Sequence, residues 1–177
     1  ESFGYMVGDF VRDKDAVSST LLACEIAADA KSKGSSMYEE LLQIYVDNNF
    51  YKEHLIAIVK KGMDGAQQIA QMMVDLRENP VTEIDGSKVI YLYDYEASTK
   101  TNIISNTVEV IDIPKSNVLI YETIDGTKIA ARPSGTEPKI KFYFSVKAPL
   151  ETIKNGVIVE TELDTKIQRI ITEMKLS

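Results

Sequence analysis

The chain has 177 residues, 44% of them hydrophobic and 27% charged, with 20 Lys and Arg against 27 Asp and Glu for a formal charge of −7. At roughly 150 residues per domain this is one full domain, or one domain and a piece of another, and it can bury about 70% of its unfolded surface. Five prolines, nine glycines and the lack of any apolar run near the roughly 20 residues of a membrane-spanning helix exclude disordered, collagen-like and transmembrane-helix readings.

In chain order, residues 1–12 are aromatic and glycine-rich without helical period, which suits a binding loop running into a short strand. The chain opens on Glu1 rather than Met, so an upstream segment is expected. From Asp13, residues Val17, Leu21, Cys24, Ala27 and Ala28 fall on one face of a helix that Gly34 ends, with Asp13-Lys14-Asp15 as its cap. Ser36 precedes Glu39 by three, a capping box, and Met37, Tyr38, Leu41, Leu42 and Tyr45 form the stripe of a second helix. Asp47, Asn48 and Asn49 are the best place for a domain boundary.

Beyond them the pattern is α+β. Residues 54–60 read as a strand, and Ala66, Ile69, Ala70, Met73 and Leu76 as a helix that Asn79-Pro80 stops. Residues 88–95 and 117–124 are strand-like, and Asp85-Gly86 and Asp125-Gly126 each suit a two-residue hairpin turn. Leu163, Ile167, Ile170, Ile171 and Met174 make a closing amphipathic helix. The only cysteine, Cys24, rules out an internal disulfide and reads as a small core side chain, and His54, the only histidine, reads as a surface or structural residue. The tyrosines at 91, 93 and 95 alternate as an outer or inter-domain sheet face would.

Residues 127–147 carry the most information. Ile140, Phe142, Phe144 and Val146 alternate with Lys139, Lys141, Tyr143 and Ser145, and Ile129 and Ala131 alternate with Lys128, Ala130 and Arg132. Pairing Arg132 with Lys139 brings Ala131 to Ile140 and Ile129 to Phe142, and puts both cations on the non-core face at the mouth of the loop Pro133–Pro138. That loop has the parts of a phosphate cradle: the N–H groups of Ser134, Gly135 and Thr136, two hydroxyls, and a glycine free to take positive φ so that the amides converge. Arg132 offers a bidentate fork and Lys139 a point charge, while Glu137 is placed to brace one of them. The same composition also suits an ordinary turn beside a solvated lysine face.

The run Arg132-Pro133-Ser134-Gly135-Thr136-Glu137-Pro138-Lys139 resembles the phosphate-binding loop in the last domain of the α-D-phosphohexomutases, the phosphoglucomutase and phosphomannomutase superfamily. Glu1-Ser2-Phe3-Gly4 is similar to the end of that family's sugar-binding loop, and the order and spacing of the two motifs also agree. The resemblance implies a C-terminal piece: residues 1–49 as the helical tail of an α/β third domain with its linker, and 50–177 as the fourth domain, an antiparallel sheet with helices of TATA-binding-protein-like type. It implies that the intact enzyme interconverts hexose 1-phosphate and hexose 6-phosphate through a hexose bisphosphate, with a phosphoserine and Mg2+ in the missing N-terminal domains. By the same resemblance Arg132, Ser134, Gly135, Thr136 and, less directly, Lys139 hold substrate phosphate, and Glu1 and Ser2 contact sugar hydroxyls. No catalytic or metal-binding residue is expected within the 177 residues, which alone should be inactive. The acidic balance argues against a nucleic-acid partner, no membrane partner is expected, and the cytoplasm is the simplest location. A stand-alone phosphosugar-binding module, a phosphopentomutase-type relative and a purely structural interaction domain are the competing readings.

Overall fold

The computed structural model describes residues 6–62 and 64–176. Helices α1 (Ala16–Ser32) and α2 (Met37–Asn48) lead into β1 (Phe50–Val59) and α3 (Gly65–Glu78). Seven strands follow: β2 (Glu83–Ile84), β3 (Ser87–Asp94), β4 (Thr99–Asn102), β5 (Thr107–Val110), β6 (Leu119–Thr123), β7 (Lys128–Pro133) and β8 (Lys139–Ala148). A short 3-10 turn (Ile153–Asn155) runs into α4 (Gly156–Glu173). The class is α+β, as expected, with every strand pair antiparallel in the order β1-β8-β7-β6-β3-β4-β5 and β2 paired with β3.

The helix starts follow their caps. The Asp15 carboxylate accepts from the N–H groups of Val17 and Ser18, and the Ser36 hydroxyl accepts from Glu39 N at 3.2 Å while donating to Glu39 Oε2 at 3.1 Å. What the first helix faces is a correction. Val17 is 81% and Leu21 62% exposed, Cys24 is exposed, and Ala30 is the buried residue of α1, so Cys24 is not a core side chain here. The apolar spacing makes the helix but does not say whether anything lies over its stripe. Residues 6–12 form bends with an Asp9–Arg12 ion pair at 2.7 Å and no strand, contrary to the expected short strand. Helix α2 by contrast joins the core: Leu42 is buried, and Tyr45 stacks on Phe50 with ring centroids 4.4 Å apart.

One sheet face is apolar and carries α3 and α4. Its centre is Leu119, Tyr121, Ile129, Ala131, Ile140, Phe142, Phe144 and Val146, which meet Ile69 and Met73 of α3 and Leu163, Ile167 and Ile170 of α4. The Tyr121 hydroxyl donates to Leu76 O at 2.6 Å at the end of α3, and burial pushes its pKa up to about 12. The opposite face is polar. There the Tyr93 hydroxyl donates to Glu122 at 2.6 Å, and the Lys100 ammonium lies 4.4 Å from the centre of the Tyr91 ring, which agrees with the outer-face reading of these two tyrosines. His54 sits in mid-strand, exposed, with its ring 6.3 Å from Phe144.

The turns divide. Asp85 and Gly86 both have positive φ (48° and 75°), and Ile84 pairs with Ser87, so that hairpin has two residues as expected. At the other turn Thr123 N donates to Thr127 O at 3.0 Å, and Gly126 alone is left-handed (82°), so the loop holds three residues, Ile124 to Gly126. Its extra residue lets Asp125 turn back. The carboxylate accepts from the Thr123 hydroxyl, from Thr127 N at 3.1 Å and from the Lys166 ammonium of α4. Burial, the largest single effect, raises the Asp125 pKa, but Lys166, Thr123 and Thr127 together outweigh it and hold the carboxyl below the usual range.

A folded pKa below the unfolded one means stability that is complete above the unfolded value of about 4 and is lost as pH falls through the folded one. Lys166→Ala should cost about 1 kcal/mol at pH 7, a modest figure because the pair is partly solvated. Urea titrations should show the gap to wild type closing below about pH 4; a gap constant with pH would contradict the pairing.

Candidate anion-binding site

The β7–β8 hairpin brings the predicted loop to one end of the sheet. Its register is Arg132 to Lys141, Ala131 to Phe142 and Ile129 to Phe144, two residues from the expected pairing. A shift of two leaves every side chain on its expected face. Its cause is asymmetric closure: Pro133 continues β7 opposite Ile140, and Ser134 N donates to Lys139 O at 2.8 Å, so the bend is only Ser134–Pro138.

Arg132, Ser134, Gly135, Thr136 and Lys139 line a single hollow of about 240 Å³, together with Pro133 and Lys141. All five loop and strand residues expected to hold phosphate are therefore gathered at one place. Glu1 and Ser2, the sugar-contact residues of the resemblance, lie outside the described residues. Lys141 is an addition to the expected set. The alternation puts it on the Arg132 face, and the register expected from the sequence places Lys139 rather than Lys141 across from Arg132.

Glu137 braces Lys139, as one of the two expected possibilities, with the ammonium 2.6 Å from its carboxylate. The hydrogen bond and charge of Lys139, and more weakly the charge of Lys141, hold the Glu137 carboxyl below its ordinary pKa. The amide nest is corrected. Gly135 is not among the left-handed glycines, Ser134 N is engaged by Lys139 O, and Thr136 N points at Ser134 Oγ at 3.4 Å. The turn closes on itself through main-chain bonds, so in this conformation the hollow offers cations and hydroxyls rather than three converging N–H groups.

Two neighbours buttress the loop. Lys60 N, just past β1, donates to Pro138 O at 2.9 Å, and a side chain added at Gly65, the first residue of α3, would lie 2.2 Å from Lys60 O and 3.1 Å from Pro138 Cβ. With prolines at 133 and 138 fixing their own φ, the loop loses little further freedom on holding a ligand. The hollow suits a tetrahedral oxyanion: a planar guanidinium, ammonium groups and two hydroxyls around a space of that size.

Among the described residues no three His, Cys, Asp or Glu side chains are grouped to hold a metal ion. No described helix is long and apolar enough to cross a membrane.

Residues 1–45 match the family model described as phosphoglucomutase/phosphomannomutase, alpha/beta/alpha domain III. The chain is 42% identical over 149 residues to a phosphoglucomutase of Staphylococcus aureus (strain MRSA252), covering 84% of this chain and 27% of that one. A phosphoglucomutase of Staphylococcus haemolyticus is 40% identical over 146 residues, covering 82% and 26%. The chain thus spans about a quarter of the length of the curated relatives it matches. A solved phosphoglucomutase-type protein, parafusin from Paramecium, aligns with 18% identity and a TM-score of 0.43 over 91% of this chain and 28% of its own. By the domain-III match and the extended identity, the chain is similar to a part of the phosphoglucomutases of the α-D-phosphohexomutase superfamily.

Proposed function

We propose that this chain is the substrate-phosphate-gripping C-terminal part of a phosphoglucomutase-type enzyme that interconverts hexose 1-phosphate and hexose 6-phosphate through a bisphosphate. One observation carries the reading: Arg132, Ser134, Gly135, Thr136 and Lys139 surround one hollow in a chain 42% identical to a phosphoglucomutase. Residues 1–49 are assigned to the third domain and its linker, and 50–177 to the fourth. Glucose is favoured over mannose because the relatives bear the name phosphoglucomutase. The phosphoserine and Mg2+ loops belong to the rest of the enzyme, whose home is the cytoplasm. Glu1 and Ser2 contact the sugar hydroxyls.

In this division of labour the loop breaks and forms no bond. It holds the phosphate remote from the reacting end, so that the sugar presents either its 1- or its 6-oxygen at a fixed distance. Arg132 contributes orientation as well as charge, because a guanidinium fork grips two oxygens of one phosphate. Two hydroxyls serve whichever phosphate rotamer arrives, since each donates or accepts. Holding the remote end converts binding energy into alignment at the reacting end.

Arg132→Lys should weaken binding of glucose 6-phosphate to the 177-residue chain by about 1 to 3 kcal/mol, because a bidentate contact becomes a point contact. Titration calorimetry or amide shifts at 134–136 measure it. An unchanged affinity removes Arg132 from the site and the reading with it.

A further inference from the structure

The sheet ends in two edge strands of different kinds. β5 has four residues, and β1 has ten, paired to β8 residue for residue without a bulge. Among the described residues no strand lies along the outer side of β1. Lys60 N donates to Pro138 O at 2.9 Å, which fixes the phase of the ladder. Every second residue from Phe50 to Ile58 thus turns its N–H and C=O to β8, and Tyr51, Glu53, Leu55, Ala57 and Val59 turn theirs outwards. Their side chains lie on the helix-free face, where Tyr51 is 44%, Leu55 48% and Val59 56% exposed. Sheet edges are ordinarily guarded by proline, by bulges, by shortness or by outward-facing lysine. β1 contains no proline, and its lysine, Lys52, is on the helix-bearing face, held by Glu160 at 2.7 Å and Asp164 at 3.4 Å.

We propose that β1 is a dimerisation edge, pairing antiparallel with β1 of a second copy of this chain about a two-fold axis at Leu55, so that two sheets become one. The strand is complementary to itself in that register. Leu55 meets the second copy's Leu55, Tyr51 meets Val59, an aromatic ring facing a β-branched side chain, and Glu53 meets Ala57. Every residue with outward backbone groups is then paired, which an isologous contact does twice over. On the other face Lys52 falls opposite Ile58 and His54 opposite Ile56, so like charges are opposed on neither face. Neighbouring axes are worse. An axis at Glu53 sets two carboxylates against each other, and one at Ala57 leaves Tyr51 and Glu53 without a partner in the strand. The inference is independent of the phosphate reading, since it uses neither the β7–β8 loop nor its cations.

The test is sedimentation equilibrium of the 177-residue chain over a concentration series, read as mass against 19.8 kDa for one copy. Wild type should approach twice that mass, with a dissociation constant on the order of 100 μM or tighter, as for a small interface. Leu55→Lys sets two ammonium groups against each other on the axis and should raise that constant by about tenfold or more. Because Leu55 is half exposed, the variant should melt within about 2 °C of wild type. Leu21→Lys, on the exposed stripe of α1, and Val110→Lys, on the other sheet edge, should leave the constant unchanged. A second measurement fixes the register. In a Cys24→Ser background Leu55→Cys should oxidise to a covalent dimer, since residues opposed in a hydrogen-bonded antiparallel pair have Cα atoms about 5.5 Å apart, inside the disulfide range. Val59→Cys should not, because its distance from the axis sets the two copies roughly 25 Å apart. A chain that stays monomeric up to about 1 mM overturns the proposal. So does a dimer that survives Leu55→Lys but not Leu21→Lys or Val110→Lys, or Val59→Cys cross-linking as readily as Leu55→Cys.

Discussion

Phe142→Ala is expected to cost about 3 to 5 kcal/mol of stability, the range for truncating a fully buried aromatic. Phe142 is 1% exposed and lies mid-way along β8, with Ala131 of β7 on one side and Ile56 of β1 on the other. Neither neighbour can fill the void: Ala131 has no more than a methyl group to offer, and Ile56 belongs to the adjacent backbone. A cavity would therefore remain on the core face beneath the two strands that present Arg132 and Lys141 on their other face. For a chain of this length the melting temperature should fall by about 6 to 20 °C, with a lower urea midpoint at unchanged slope. Phe142→Leu, which keeps most of the volume, should cost about 1.5 kcal/mol or less. An alanine variant within about 1 kcal/mol of wild type would mean that Phe142 is not packed as described.

The second large effect is at Gly65. A Cβ there would sit 2.2 Å from the carbonyl oxygen of Lys60 and 3.0 Å from its carbon, both backbone atoms that cannot rotate away. Relief requires moving the start of α3 or the end of β1, and Lys60 N is the group that holds Pro138 O. Gly65→Ala should thus destabilise by about 1 to 3 kcal/mol and also shift the loop. Thermal melts test the first part, and amide shifts at residues 134–139 the second. Gly135→Ala is the informative contrast, because nothing lies within 4 Å of a Cβ at that position. A stable, unshifted Gly65→Ala chain would remove the buttress from the account.

These two sites also show which parts of the structure could be read from the residues. Strict alternation over Ile140–Val146 identified the core strand, because a strand with one buried face leaves a period of two. The caps of α1 and α2 and the stop before Pro80 were legible for local reasons: one side chain meets its own helix end, or one ring forbids the next turn. Strands β4 and β5 were missed, since Thr99–Asn102 are only half-buried and Thr107–Val110 are exposed throughout, leaving no apolar period to detect. Their signal was in the turns instead, where Ser98 and Asn106 take positive φ.

At the candidate site the residue set was legible and the geometry was not. Composition brought Arg132, the two hydroxyls and Lys139 together, but whether Gly135 turned left-handed depended on the Ser134–Lys139 hydrogen bond, a contact that residue types do not encode. The same bond set the register and so placed Lys141, not Lys139, across from Arg132. Cys24 failed for a different reason. An apolar stripe shows that a helix can be covered, and the exposure of Val17 and Leu21 shows that no described residue does so.

The central claim is that the bend between β7 and β8 holds the phosphate of a hexose phosphate. The most direct measurement is a titration of the 15N-labelled chain with glucose 6-phosphate, following every assigned amide. The account predicts saturable shifts concentrated at residues 132–141, with a Kd on the order of millimolar for a site that gains only a few hydrogen bonds. Saturable shifts centred elsewhere, or none at the bend up to saturating sugar phosphate, would contradict it.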